Sequence, residues 1–487
     1  MIIDTLIIGA GFSGLCMAMK LREAGMNSFL VIEKSEGIGG TWWENRYPGC
    51  ACDIPSHLYS FSFDLNPKWT RMFAARQEIQ EYLEQSVDRH GIRETIRLKT
   101  QLREATWDED AGLWHATLGD GTNVDARVIV SGMGALHVPR YPEIAGLDRF
   151  EGPAFHSAAW DSTVDLAGKN IAVIGTGASS IQFVPEIAPL AGKLSLFQRT
   201  APWIVPKLDH PIADPWRKRF ERLPGLMRAY RAMLFWMLEI RVLGFLKKGW
   251  LREQGAKQAR QHLEAQVPDP DLRAKLTPHY EFGCKRVLIS NDFYPTLARP
   301  NVELVTETIK EVRAHSIVTS DGVERPVDVL IYGTGFRVTD LLLGTRIAGR
   351  GGVEIHEAWK ERVSAFLGIT VAGFPNFFLL LGPNTGLGHN SVVLMIEAQV
   401  RYVMSCLRMM KRQGQAVMEI RETAQRKFVE RIRQRLAVTV WQAGGCKSWY
   451  QDQRTGESPV VWPGSVVDYR RRTRSAAAAD YQFGKAK

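Results

Sequence analysis

Cysteine is scarce in this sequence of 487 residues. The six present, Cys16, Cys50, Cys52, Cys284, Cys406 and Cys446, are too scattered for a secreted disulfide framework, and Cys50 and Cys52 lack the spacing of a zinc knuckle. Reduced, structural thiols are expected. No basic leader precedes an apolar stretch, because MIIDTLIIGAG runs straight into the glycines of a strand-to-helix turn, and a cytoplasmic protein is expected. Long uncharged runs are missing too. The most apolar segment, Leu226 to Trp250, is interrupted by Arg228, Arg231, Glu239, Arg241, Lys247 and Lys248, well short of the roughly 18 residues a bilayer span needs. It is expected to form part of a helical subdomain beside the active site, with an interfacial, membrane-touching helix as the alternative.

Outside the C-terminal tail the sequence has little excess of either charge. The formal net charge is +10, from 62 Lys and Arg against 52 Asp and Glu, but half of it lies in the last stretch, RRRTRSAAAADYQFGKAK. There Arg470, Arg471, Arg472, Arg474, Lys485 and Lys487 face Asp480 alone, and a disordered, dispensable tail is expected. The rest lacks a stripe of basic residues interleaved with aromatics, so no nucleic-acid groove is expected. Low complexity is confined to Ala476 to Ala479. With 45% hydrophobic and 23% charged residues the composition is globular, and at roughly 150 residues per domain the length allows about three domains.

What is present begins at the N-terminus. Ile2 to Ile8 is a β-branched strand, GAGFSG follows with Gly9, Gly11 and Gly14, then a helical stretch, then SFLVIEK ending in Glu33. This is a dinucleotide fingerprint: Gly9 for the tight turn, Gly11 for close approach of a pyrophosphate, Gly14 for helix packing, and Glu33 to accept ribose hydroxyls. A second copy starts at Asn170, with Gly175 and Gly177 matching and Ser180 in place of the third glycine. Glu33 has no counterpart there. Arg199 and Thr200 occupy that position, and a guanidinium binds a 2′-phosphate that a carboxylate would repel, so the second nucleotide is expected to be NADP(H). An arginine merely solvated at a strand end is the alternative.

Two such folds in one chain point to a flavoprotein that takes hydride from a nicotinamide. DVLIYGTGF, Asp328 to Phe336, brings the chain back toward the first fold. The segment LLLGPNTGLGHNS, containing Asn384, then precedes an apolar helix near Ser391 whose N-terminal amides are placed to stabilise negative charge on a reduced flavin. A loop before a capped core helix is the alternative. The expected fold is α/β, with two Rossmann-like domains. Residues 1–149 and 331–469 form the FAD-binding domain, 150–168 a linker, 169–208 and 281–330 the NADP-binding domain, 209–280 a helical insert, and 470–487 the tail.

Two segments narrow the chemistry. FEGPAFHSAAW supplies Phe150, Gly152, His156 and Trp160, and GGTWWENRYPGCACDIPSHLYSFSF supplies Gly40, Trp42, Tyr47, Pro48, Gly49 and Asp53. In order and spacing, over nearly the whole chain, these resemble the type I Baeyer-Villiger monooxygenases. The resemblance implies FAD and NADPH as cofactors, and insertion of one oxygen atom of dioxygen beside a ketone carbonyl through a flavin peroxide. Oxygenation of sulfides or amines is the nearest rival. A basic membrane-surface or nucleic-acid-binding protein with a relict flavin fold is the rival from another class.

Carried over residue by residue, the resemblance makes Arg286 the catalytic arginine and Asp53 the carboxylate that holds it. It also makes Lys285 a second 2′-phosphate contact, and places Gly40, Thr41, Trp42 and Asn384 among the cofactor contacts. One fixed positive charge at about 4 Å, with an effective dielectric near 20, is worth on the order of 4 kcal/mol to an oxygen anion. Arginine does not give up its proton to that anion. Each residue also has a plainer reading: Lys285 and Arg286 as a solvated pair, Asp53 as a turn cap, His156 as a linker tie and Trp160 as hinge packing. The identity of the ketone and the oligomeric state are not legible.

Overall fold

A computed structural model describes residues 2–485. Two parallel-cored sheets organise them. In the first, Ile2–Ile8 lies between Phe29–Ile32 and Asn123–Ser131, with Ile7 opposite both Val31 and Val130. Leu6, Ile7 and Ile8 are all buried, as expected where helices and loops cover both faces of a parallel sheet. The helix Phe12–Glu23 makes the crossover between the first two strands. Leu102–Asp108 and Leu113–Leu118 add an antiparallel meander on one side, and Phe377–Leu379, from far along the chain, pairs with Asn123–Ser131.

The second sheet has five parallel strands in the order Val302–Val305, Lys193–Phe197, Asn170–Ile174, Val329–Tyr332 and Ala154–His156. His156 therefore sits on an edge strand, fully buried between Tyr141 and Phe336, with Nδ1 accepting from the Ala158 amide at 3.1 Å. Trp160 packs on Phe155 and Phe183. Between Asp209 and Tyr280 the chain forms helices, among them Pro224–Glu239, Val242–Leu246 and Trp250–Gln266. No helix of the described residues is long and apolar enough to cross a membrane.

Two expectations are corrected here. The tail is ordered through Lys485, Lys487 lying outside the described residues: Val466–Arg472 is a helix capped by Ser465, and Tyr481–Gly484 pairs antiparallel with Val417–Ile420. Tyr481 is buried, and its hydroxyl lies 2.9 Å from that of Tyr402. The arginine count concealed Tyr481 and Phe483, which supply the apolar surface that holds the strand. Nor are all the thiols reduced. Cys284 and Cys446, 162 residues apart in sequence, form a disulfide, while Cys16, Cys50, Cys52 and Cys406 are buried and free. The pairing follows from a close loop contact, since a Cβ on Gly444 would lie 2.9 Å from the Cys284 Sγ.

Candidate active site

The first glycine turn is built for close approach. A side chain on Gly14 would place its Cβ 1.8 Å from the Gly9 carbonyl oxygen, so the helix can pack this tightly only with glycine there. Gly11 caps the Phe12–Glu23 helix without any side-chain cap, which leaves the first-turn amides for a pyrophosphate. Glu33, buried at the end of its strand, accepts from the Ala10 amide at 2.8 Å and the Ser35 amide at 2.9 Å. A carboxylate has lone pairs to spare beyond these two bonds for ribose hydroxyls.

The Gly40 loop closes over the same turn. The Gly39 amide donates to the Ala10 carbonyl at 2.8 Å, and a Cβ on Gly40 would lie 3.1 Å from the Gly11 Cα. Thr41 starts the short helix Thr41–Glu44, and buried Trp42 donates from its indole to the Tyr59 hydroxyl at 3.2 Å.

In the second fold, a Cβ on Gly177 would meet only the Gly333 carbonyl oxygen, at 3.8 Å, so the loop leaves room for a ligand. Ser180 replaces the third glycine because the residue facing it is Gly333, where a Cβ would come within 2.0 Å of the Ser180 Oγ. Arg199 and Thr200 are exposed beyond the strand Lys193–Phe197. Lys285, from a distant segment, joins Arg199. Burial, and next the Arg199 guanidinium, hold its ammonium below the usual lysine range. Two cations within electrostatic reach of each other are suited to an anion.

The neighbouring residue turns to the first fold. Arg286 Nε donates to Asp53 Oδ2 at 2.9 Å, and Nη2 bonds the same oxygen. Asp53 holds the Arg286 cation more firmly than usual, and about a quarter of the arginine side chain remains open. Its segment is fixed on both sides, by the Cys284–Cys446 disulfide and by Leu288–Ile289, which pairs with Ile204–Val205.

Asp53 is steadied across the domains as well. Gln182, on the helix Ser180–Ile187, accepts from the Tyr47 hydroxyl at 3.0 Å and donates to the Ala51 carbonyl at 3.0 Å. Gln182 escaped the sequence reading, as did Tyr450, which is buried beside Arg286. Burial raises the Tyr450 phenol pKa and the Arg286 cation opposes that rise. Only the fold brings either of them to the site.

Asn384 is anchored to the C-terminal segment. Its side-chain amide donates to the Ser458 carbonyl at 3.0 Å and the Val461 carbonyl at 3.3 Å, and its own amide to the Pro459 carbonyl at 2.6 Å. It clamps the C-terminal segment. The helix Val392–Gln413 that follows is better fitted for the flavin, since the Ser391 Oγ at its N-cap is buried without a hydrogen-bond partner among the described residues. The buried Tyr450 hydroxyl lies against the Arg286 guanidinium. A buried hydroxyl such as that of Ser391 carries a desolvation cost unless a ligand meets it, so the site fits a polar edge of FAD.

The chain is similar to known proteins in sequence and in fold. A family model described as an NAD(P)-binding Rossmann-like domain matches residues 7–75. A Baeyer-Villiger monooxygenase of Pseudomonas aeruginosa is 47% identical over 477 residues, covering 98% of this chain and 90% of that protein. One of Streptomyces coelicolor is 44% identical over 479 residues, covering 98% and 92%. Among solved structures, cyclohexanone monooxygenase from Rhodococcus sp. Phi1 bound to NADP+ has a TM-score of 0.89 at 29% identity, covering 100% of this chain and 99% of that one. The OTEMO complex with FAD and NADP has a TM-score of 0.87 at 30% identity, covering 99% of each chain.

Proposed function

The chain belongs to the Baeyer-Villiger monooxygenases, FAD-containing, NADPH-dependent enzymes that oxygenate ketones, and we propose that Arg286, oriented by Asp53, is its catalytic residue. FAD, when bound, accepts hydride from NADPH and activates dioxygen. Arg286 then supplies a fixed positive charge where negative charge develops on oxygen. It needs no reorganisation at that moment, because Asp53 and the two flanking anchors already hold it.

The other residues divide between the nucleotides. Gly9, Gly11, Gly14, Glu33, Gly40, Thr41 and Trp42 receive FAD, with Ser391 at its polar edge. Gly175, Gly177 and Ser180 shape the second phosphate loop, and Arg199 with Lys285 binds the 2′-phosphate, Thr200 lying beside them. The observation that carries this reading is the Arg286–Asp53 pair, with the adjacent Lys285 in electrostatic reach of Arg199. One segment thereby serves both nucleotide selection and oxygen transfer.

The substrate is a small-molecule ketone, and the product an ester or lactone. The test is a ketone and sulfide panel with purified enzyme, scored by product identity and by NADPH consumed per product. Sulfoxide formation with every ketone left untouched would refute the reading.

A further inference from the structure

The Pro224–Glu239 helix is apolar on both sides. Its inward residues Met227, Leu234 and Leu238 are buried, yet the outer side carries Met233, Trp236 and Met237, followed by Ile240 and Leu243. Trp236 is 61% exposed and Ile240 59%. Ile240 and Arg241 keep right-handed helical dihedrals into Val242–Leu246, so residues spaced three and four apart form one continuous stripe. A soluble monomer rarely leaves such a stripe to water.

The flanking charge identifies the partner. Between Arg222 and Trp250 the sole carboxylate is Glu239, which is buried and occupied by the Asn390 side chain at 2.8 Å and the Val467 amide at 2.9 Å. Arg222, Arg228 and Lys247 are exposed, while Lys248 pairs with Glu281 at 3.3 Å. We propose that this face docks on an anionic lipid surface, the stripe lying at the headgroup boundary and the basic side chains on the phosphates.

A second copy of the chain fits poorly. A two-fold contact would set the patch against itself, cation facing cation, with no exposed acid in the stretch to relieve it. Tryptophan at the centre suits a lipid interface, where one edge is apolar and the other wet. On its inner side the helix is tied through Glu239 and Asn390 to the loop that enters Val392–Gln413, so docking sets the active-site loop next to the lipid.

Flotation of the holoenzyme with phosphatidylcholine vesicles, with and without about one-third phosphatidylglycerol, tests this. Binding is expected to the anionic vesicles and to fall with added salt. Replacing Trp236 and Ile240 together by Ser should weaken it at least about tenfold, the scale for withdrawing two large apolar side chains. Flavin absorbance and turnover of a water-soluble ketone should stay unchanged. R228E with K247E should weaken binding by more than about fivefold, and this variant carries the test if the serine variant fails to fold. No binding to anionic vesicles would overturn the proposal, as would binding indifferent to both variants. So would a dimer in solution that the serine variant dissolves, which would assign the stripe to a second copy.

Discussion

Arg286→Ala separates the two halves of the catalytic cycle. The guanidinium bonds Asp53, and the proposed 2′-phosphate contacts are Arg199 and Lys285, so NADPH should still bind and still bleach the flavin anaerobically, at a reduced rate. Oxygenation is another matter. A unit charge at about 4 Å and an effective dielectric near 20 is worth on the order of 4 kcal/mol, or roughly a thousandfold. About a quarter of the Arg286 side chain is open to solvent, which screens the field, and a loss of about a hundredfold is the more realistic expectation. Asp53→Ala should lose less, because the charge survives and only its orienter is gone. The double variant should be little worse than Arg286→Ala, as for residues acting as one unit. Stopped-flow reduction read at the flavin band, set beside ester formed per NADPH consumed, measures both halves. Ester formation by Arg286→Ala at a near-normal rate would refute the assignment of the site.

Arg199→Ala should raise the KM for NADPH by about tenfold or more and leave NADH nearly unaffected, and a wild type that uses both equally would remove the 2′-phosphate reading. Because Lys285 titrates below the usual lysine range, the KM for NADPH should climb as pH rises through that lowered pKa while the KM for NADH stays flat; parallel pH profiles would count against Lys285. Truncation after Tyr469 should lower the melting temperature by about 5 °C or more, since it uncovers the Val417–Ile420 edge and empties the buried Tyr481 site, and a shift under about 1 °C would show the strand to be dispensable. Buried His57, packed against Phe220 and Tyr230 and bonded through its carbonyl to Arg231, has its pKa pulled down to about 4, first by burial and then by Arg231. Its contribution to stability is full above about pH 6.5 and falls by up to about 3 kcal/mol as pH drops toward 4, so denaturant titration of His57→Phe should show a flatter acid limb.

Local features were legible. The glycine turns, the strands that feed them and the Glu33-for-Arg199 exchange depend on residues within about thirty positions of one another, where periodicity and turn chemistry act directly. The tail was misread because Arg470 to Arg474 dominate its charge while two aromatics, Tyr481 and Phe483, decide its structure. Composition alone contained no sign that the Val417–Ile420 edge would be waiting for them. The insert read correctly as having few strand signals, but nothing in its pattern told which of two apolar faces would be buried.

The site is harder to read for a physical reason. A charge helps an anion form only if it is already in place, and what holds Arg286 is spread along the chain. Asp53 lies 233 residues away, and the Gln182 that braces its loop contacts Ala51 across 131. Cys284 meets Cys446 across 162. None of these tethers has a periodicity or a spacing, so none announces itself in sequence. The Arg286–Asp53 pairing is implied by a family resemblance, which encodes long-range geometry that propensity does not. Gln182, Tyr450 and the disulfide belong to no motif the resemblance supplied, and the fold alone reveals them. Preorganisation built from such distant tethers makes the residues that brace Arg286 and Asp53 the part that sequence reading reaches last.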